Sequence, residues 1–205
     1  MNRVISYIDG FNLYFGLKSK GWRKYYWLDL VAMSKAFLKQ DQHLEHCHYF
    51  TARVSAGSPS QSSKRQALWL EVLAVRTDLT THFGHYLPKQ VQCKKCGAAW
   101  TSWEEKMTDV NIAAQLLSDA YEDRFDTAFV ISGDSDLTTP IKRIREKFPT
   151  KRVIVIFPPD RRSAQLRQTA NGCLVIGEDK LRQNLLPSPL PNASGFMIHR
   201  PAEWN

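Results

Sequence analysis

Two short runs, TAFVIS (127–132) and RVIVIFP (152–158), are apolar without the in-and-out alternation of a strand that meets water on one side. Strands of that kind are buried on both faces and belong to parallel sheets covered by helices. Around them lie segments with helical signals: DLVAMSKAFL (29–38), with Asp29 in a capping position, and KRQALWLEVLAV (64–75). A further helix is expected over residues 107–120, where Val110, Ala113, Leu117 and Ala120 share a face, and another over LTTPIKRIREKF (137–148), with Pro140 tolerated in its first turn. RVISYI (3–8), ending at the turn pair Asp9-Gly10, CHYFTARV (47–54), the stretch around THFGHYL (81–87) and CLVI (173–176) read as more strands, and SAQLRQTA (163–170) as a short helix. Strands alternating with helices predict an α/β domain built on a largely parallel sheet.

In such sheets ligands sit outside the carboxyl ends of the strands. Asp9 follows the first strand, and VISGDSDL (130–137) places Asp134 and Asp136 after a central one. Two carboxylates that close repel each other unless a positive charge sits with them. Asp109, in the first turn of the 107–120 helix, is a third candidate, although an acid there also suits the helix dipole, with Thr108 as cap. Asp9 alone could be a turn residue and Asp134 alone a cap. Together the acids point to chelation of Mg²⁺ or Mn²⁺ by Asp9, Asp109, Asp134 and Asp136, because such hard ions take oxygen ligands and keep several waters. Ser132 and Ser135 are expected to donate hydrogen bonds to those carboxylates or to a phosphate, and Gly133 to permit close backbone approach.

Charge agrees with that chemistry. Lys plus Arg exceed Asp plus Glu by 28 to 20, a net +8, which favours a polyanionic partner. Arg161 and Arg162 follow a strand end and, with Lys94 and Lys95, are expected to contact backbone phosphates. A composition 43% hydrophobic and 23% charged suits a folded core. No stretch approaches the 18 or so apolar residues of a membrane span, and strand-like residues begin at Arg3, leaving no room for a secretory signal. A cytoplasmic protein is expected, with its four cysteines reduced or metal-bound and Cys47 and Cys173 buried and inert.

YIDGFNLY (7–14), EEKMTDVNIA (104–113) and FDTAFVISGDSDLTTPI (125–141), in that order, resemble the NYN domain, a branch of the PIN-like nuclease superfamily, with the LabA-like bacterial group nearest. The resemblance spans residues 3–176. It implies a three-layer α/β/α fold and Mg²⁺- or Mn²⁺-dependent cleavage of phosphodiesters, usually in RNA. It also implies that Asp9, Asp109, Asp134 and Asp136 are the metal-binding acids, that Asn12 stands beside Asp9, and that Lys106 neutralises the scissile phosphate or steadies the acids. The alternative reading is a non-catalytic RNA-binding or regulatory module on the same fold. A phosphatase acting on small esters is a third.

The segment KQVQCKKCGAAWTSW (89–103) reads as an irregular insert. Its Cys93 and Cys96 have the spacing of a zinc knuckle, but a structural zinc needs four ligands. His82 and His85, or His46, Cys47 and His48, are the candidates to complete the set; two reduced surface thiols or a redox pair are the alternatives. Trp100 and Trp103 are expected to pack the insert onto the domain, with base stacking the alternative, and Trp69 to lie in the core. Asp119 shares the helix of Asp109 and is a weak candidate to support the acids from behind. SAGSPSQSS (55–63) reads as a polar loop, the domain as residues 1–186, and the proline-rich segment 187–205 as a tail that stays off the core.

Overall fold

A computed structural model describes residues 1–53 and 60–204. The chain runs β1 (Asn2–Asp9), α1 (Gly10–Ser19), α2 (Leu30–Lys35), β2 (Gln42–Ala52), α3 (Gln61–Leu73), β3 (Leu79–Gln92), β4 (Ala99–Lys106), α4 (Thr108–Tyr121), β5 (Thr127–Ile131), α5 (Thr138–Lys147), β6 (Arg152–Phe157), α6 (Ala164–Thr169), β7 (Gly172–Val175) and α7 (Glu178–Gln183). A small hairpin, β8 (Leu190–Pro191) with β9 (Met197–Ile198), ends the regular structure apart from a short 3₁₀ turn at Ala202–Trp204. Of the polar loop expected over 55–63, residues 55–59 lie outside the described residues, and α3 begins at Gln61.

The seven main strands form one sheet in the order β4-β3-β2-β1-β5-β6-β7, all parallel except the β3–β4 pair. The chain winds outward in one direction from β1 through β2 and β3, and in the other from β5 through β6 and β7. The reversal point lies between β1 and β5, where open α/β sheets form their ligand crevice at the carboxyl ends.

Alternation along β1 divides the core. Val4 and Ile8 enter a cluster with Leu13, Leu17, Leu30 and Leu73 from α1, α2 and α3. Ile5 and Tyr7 enter the opposite cluster with Ile112, Leu116, Ile141 and Leu166 from α4, α5 and α6. The expected three-layer α/β/α architecture follows. Trp69 packs in the first cluster, as its helical position foretold.

Capping explains several helix starts. Asp29 accepts from the amides of Val31 and Ala32, and Pro140 sits in the first turn of α5. The turn expected at Asp9-Gly10 is instead the start of α1: Asp9 ends β1 and caps the helix by accepting from the Asn12 amide at 2.9 Å. Thr108 does not cap α4. Met107, with φ of 83°, occupies that place, and Glu105 Oε1 accepts from the Thr108 amide at 3.0 Å.

Two larger expectations also fail. Residues 89–103 are not irregular: they complete a long antiparallel hairpin in which β3 pairs with β4 from His85↔Lys106 to Gln92↔Ala99. Only the first part of β3, Leu79–Gly84, pairs with β2, so the hairpin rises beyond the carboxyl edge of the sheet. The segment after residue 187 does join the core. Ile198 and Trp204 belong to the first cluster, the Trp27 indole donates to the Pro187 carbonyl at 3.0 Å, and the Trp204 ring lies 6.2 Å from that of Trp27. Isolated apolar residues among prolines give no periodic signal, and their burial depends on a groove formed by distant parts of the chain.

Because the Trp204 ring fills that groove, Trp204→Ala should lower stability by about 3 kcal/mol, the usual cost of emptying a buried aromatic site. The urea unfolding midpoint reads this; an unchanged midpoint would return the segment to the status of a loose tail.

Candidate active site

The parallel register delivers the first acid. Ile8 lies opposite Ile131, so the residues that follow them, Asp9 and Ser132, meet at the crevice. Asp9 is only 1% exposed. Its carboxylate accepts from the Asn12 amide, from Asn12 Nδ2 at 2.6 Å and from Ser132 Oγ at 2.8 Å. Burial pushes its pKa up, the hydrogen bonds from Asn12 and Ser132 pull it back, and the balance leaves it raised. Asn12 Oδ1 also accepts from the Gly133 amide at 3.2 Å, which ties α1 to the end of β5.

After β5 the chain turns through Gly133. A Cβ on that residue would lie 2.8 Å from the Arg161 carbonyl carbon and oxygen, so the close approach needs glycine, as anticipated. Asp134 caps the 3₁₀ turn Ser135–Leu137 by accepting from the Asp136 amide at 3.0 Å. Ser132 Oγ accepts from the Asp134 amide while donating to Asp9. Ser132 is fully buried, which bars the phosphate contact and leaves the other expected role, a hydrogen bond that orients a carboxylate. Ser135 and Asp136 are exposed at the rim.

Asp109 approaches from the other side, on the first turn of α4. Among the described residues its carboxylate has no hydrogen-bond partner. Its pKa is pushed up to about 7, first by burial and then by repulsion from Asp9, Asp134, Glu105 and Asp136. Three separate segments thus bring all four expected acids within electrostatic reach of one another, and Glu105 adds a fifth. The doubled acid in EEK was visible in the sequence; which of the two faces the crevice depends on the phase of β4. Gly84 on β3 makes room, since a Cβ there would stand 2.7 Å from Glu105 Oε1.

The same phase turns Lys106 away. Its ammonium pairs with Glu104 at 3.0 Å on the hairpin surface, and the expected contact with the acids is absent from this arrangement. Arg161 and Arg162 are exposed on the loop after β6, and the Arg161 backbone packs on Gly133 beside Asp134. Lys94 and Lys95 sit at the hairpin tip, seven rungs beyond His85↔Lys106, or ~23 Å at the rise of a strand. They are therefore not brought to the acid edge. Asp119 serves a network of its own: it accepts from Tyr7 Oη at 2.6 Å and from Gln115 Nε2 at 3.0 Å, with His48 Nε2 at 3.4 Å.

Among the described residues no group of three or more His, Cys, Asp or Glu side chains stands ready as a metal cage. The donors at the crevice nonetheless suit Mg²⁺ or Mn²⁺: they are carboxylate oxygens, and Asp109 carries repulsion that a cation would relieve. Mg²⁺ is commonly held by one or two carboxylates plus water and phosphate, without a dedicated cage. Zinc fits less well. Backbone amides of Cys96 and Lys95 donate to the Cys93 sulfur and hold its pKa below the usual thiol value, as in a knuckle. His85 lies eight residues down the strand from Cys93, ~26 Å away, and His82 lies further. His46, Cys47 and His48 are on β2, deeper in the sheet, so neither histidine set completes the site. Cys47 is buried as expected, but Cys173 is only half-buried. Trp100 and Trp103 are 50% and 40% exposed, so they do not pack the hairpin onto the domain.

The raised Asp109 has a stability signature. Between the ordinary carboxylate value and about pH 7 the folded chain holds a proton that the unfolded chain has lost, so stability falls as pH rises through that window. Without divalent ions, Asp109→Asn should melt at a higher temperature than the parent at pH 8, with the difference vanishing near pH 4. Thermal melts at the two pH values check this, and a lower melting point for the variant at pH 8 would contradict the repulsion.

Comparison with known proteins agrees with this architecture. The family model described as the NYN domain matches residues 3–177. A crystal structure of a protein of unknown function, VPA0982 from Vibrio parahaemolyticus, superposes with a TM-score of 0.58 at 18% identity, covering 90% of this chain and 96% of that one, which supports the fold. The chain is also 28% identical, over 176 aligned residues, to 6-hydroxy-3-succinoylpyridine 3-monooxygenase HspA of Pseudomonas putida. That match covers 70% of this chain and 55% of the relative, so the chain spans about half the length of that protein. With the family model matched over most of its length, and with the α/β architecture and the ordered motifs in place, the chain belongs to the NYN domain family, of PIN-like nuclease fold.

Proposed function

We propose that the protein is a divalent-metal-dependent endoribonuclease. The observation that carries this reading is that Asp9, Asp134 and Asp136, from two other segments, lie within electrostatic reach of Asp109 at the reversal point of a parallel sheet. Asp9, Asp109 and Asp134 would hold Mg²⁺ or Mn²⁺, with Asp136 at the exposed rim. The bound ion supplies a water of lowered pKa and offsets charge on the phosphoryl group. Asn12 and Ser132 fix the Asp9 carboxylate in one orientation, so little reorganisation is needed when phosphate arrives. Arg161, on the exposed loop after β6, would contact a backbone phosphate, and the exposed hairpin with Trp100, Trp103, Lys94 and Lys95 would offer a surface to more distant parts of a long strand.

Two other readings have specific support. The absence of a ready cage among the described residues favours a non-catalytic RNA-binding module. The name of the Pseudomonas relative, taken with a cavity of about 170 Å³ beside Gly10, favours action on a single heteroaromatic ring.

Purified protein with Mn²⁺ or Mg²⁺ should cut single-stranded RNA, and Asp134→Asn should slow cutting by roughly a hundredfold or more, the scale of losing one preorganised electrostatic contact. Equal rates for parent and variant would assign the cutting to another site or a contaminant. Chelating the metal separates the binding module: four acids facing phosphate repel RNA, so affinity should fall when the divalent ion is removed, whereas a pure binder would hold RNA unchanged.

A further inference from the structure

The cavity of about 170 Å³ lies on the α1 side of the sheet edge, and Gly10 and Phe11, the residues directly after Asp9, form part of its wall. Half of the wall is aromatic, including Phe11, Tyr14 and Phe15 from α1, Tyr26, Tyr86 at the base of the hairpin, and Trp204 from the C-terminal segment. These rings brace one another. Phe11 meets Tyr86 edge-on at 6.1 Å, Tyr14 tilts against Tyr26 at 5.1 Å, and Tyr26 meets Trp204 edge-on at 5.7 Å. Braced rings make a preorganised slot rather than a collapsed core. An apolar cavity of ~150 Å³ is known to accept one benzene ring. This cavity therefore suits one six-membered ring and is small for the fused pair of a purine. Thr51 and Ser62, also in the wall, already bond Tyr49 and Ser60 Oγ, so the slot selects by ring size and stacking.

The surroundings say what the ring is attached to. The Arg161 guanidinium lies 5.7 Å from the centroid of Phe15, and the Lys18 ammonium lies 5.7 Å from Phe15 and 6.0 Å from Tyr14. Arg161 also packs its backbone on Gly133, next to Asp134. Tyr86 is within electrostatic reach of both Tyr14 and Glu105, and Glu105 in turn of Asp109. The aromatic slot therefore carries cations at Phe15 and reaches toward the acid cluster through Tyr86 and Glu105, an arrangement that suits a base with its phosphate on the acid side.

We propose that this cavity is a nucleobase subsite that takes one pyrimidine ring of a single-stranded polynucleotide and seats the adjoining phosphate at the acid edge. The assignment rests on the nuclease reading and adds to it a preference for pyrimidines at the position next to the cut. The same ring chemistry has a second source, a free heteroaromatic molecule, which the experiment separates from a strand.

The test uses the full chain carrying Asp134→Asn, so that RNA is bound without being cut. Anisotropy of a labelled oligouridylate and a labelled oligoadenylate should show tighter binding of the uridylate. Ser62→Trp, which fills the cavity from an exposed helix position, and Tyr14→Ala, which removes a wall, should each weaken uridylate binding about tenfold, the scale of one stacked base, and erase the preference. Unchanged uridylate binding in both variants, with native far-ultraviolet circular dichroism, overturns the proposal. So does quenching of tryptophan fluorescence by free pyridines or cytidine without any strand preference, which would assign the cavity to small molecules. The two readings fail separately: a pyrimidine preference without metal-dependent cutting by the parent sinks the nuclease, and cutting without a preference sinks the subsite.

Discussion

Burial of the Asp9 carboxylate is the constraint around which the crevice is built. An ionised carboxyl group taken out of water is costly unless its oxygens are hydrogen-bonded. Here three donors come from two places: the first turn of α1 gives the Asn12 amide and Nδ2, and the end of β5 gives Ser132 Oγ. The requirement to satisfy one anion thus locks the end of β1, the start of α1 and the end of β5 into a single unit. It also fixes which side chains can be tolerated nearby. A Cβ on Gly10 would stand 2.6 Å from Tyr49 Oη, and one on Gly133 would strike the Arg161 backbone.

Opposite this satisfied acid stands an unsatisfied one. Asp109 is half-buried, among carboxylates, without a hydrogen-bond donor from any described residue, and its pKa of about 7 records the strain. A fold selected only for stability would not keep four acids there. The contrast with Asp119 on the same helix is instructive: burial raises that carboxyl, but hydrogen bonds from His48 and Tyr7 outweigh it and leave the pKa low. One end of α4 carries a satisfied acid that holds the core, and the other carries a frustrated acid that a cation or a proton would relieve. Such local frustration is the ordinary mark of a site kept for chemistry.

The basic excess is distributed to match. Many of the cations are paired on the surface, as Lys106 is with Glu104 and Lys142 with Glu146, and exposed pairs of this kind contribute little to stability. Arg161 is different, because its backbone is fixed against Gly133 while its guanidinium lies over Phe15, in the wall of the aromatic slot. Its position follows from packing, not from charge alone.

How much of this was legible in the chain depends on whether the signal is local. Continuous apolar runs declared the buried strands, and the rule that ligands gather at strand ends singled out Asp9, Asp134 and Asp136 before any coordinates. Asp109 emerged from helix position and from the ordered motifs that resemble the NYN domain. Residues 89–103 were misread because a two-stranded ribbon standing in solvent lacks the hydrophobic alternation that marks a half-buried strand. Lys106, which the family resemblance puts beside the acids, turns away and Glu105 stands there instead, because neighbouring residues on a strand face opposite ways and phase decides which of them meets the acids. Of the two roles the sequence leaves open for Ser132, a bond to a carboxylate or to a phosphate, burial selects the first, and sequence carries no measure of burial at a strand terminus. The amino-acid sequence by itself determined the layered α/β class and the identity of the acids, since both are written in short-range pattern. Tertiary structure alone decided that β1 lies beside β5, that Trp204 closes an aromatic cavity with α1, and that five carboxylates share one field, because these depend on register and on packing between segments distant in sequence.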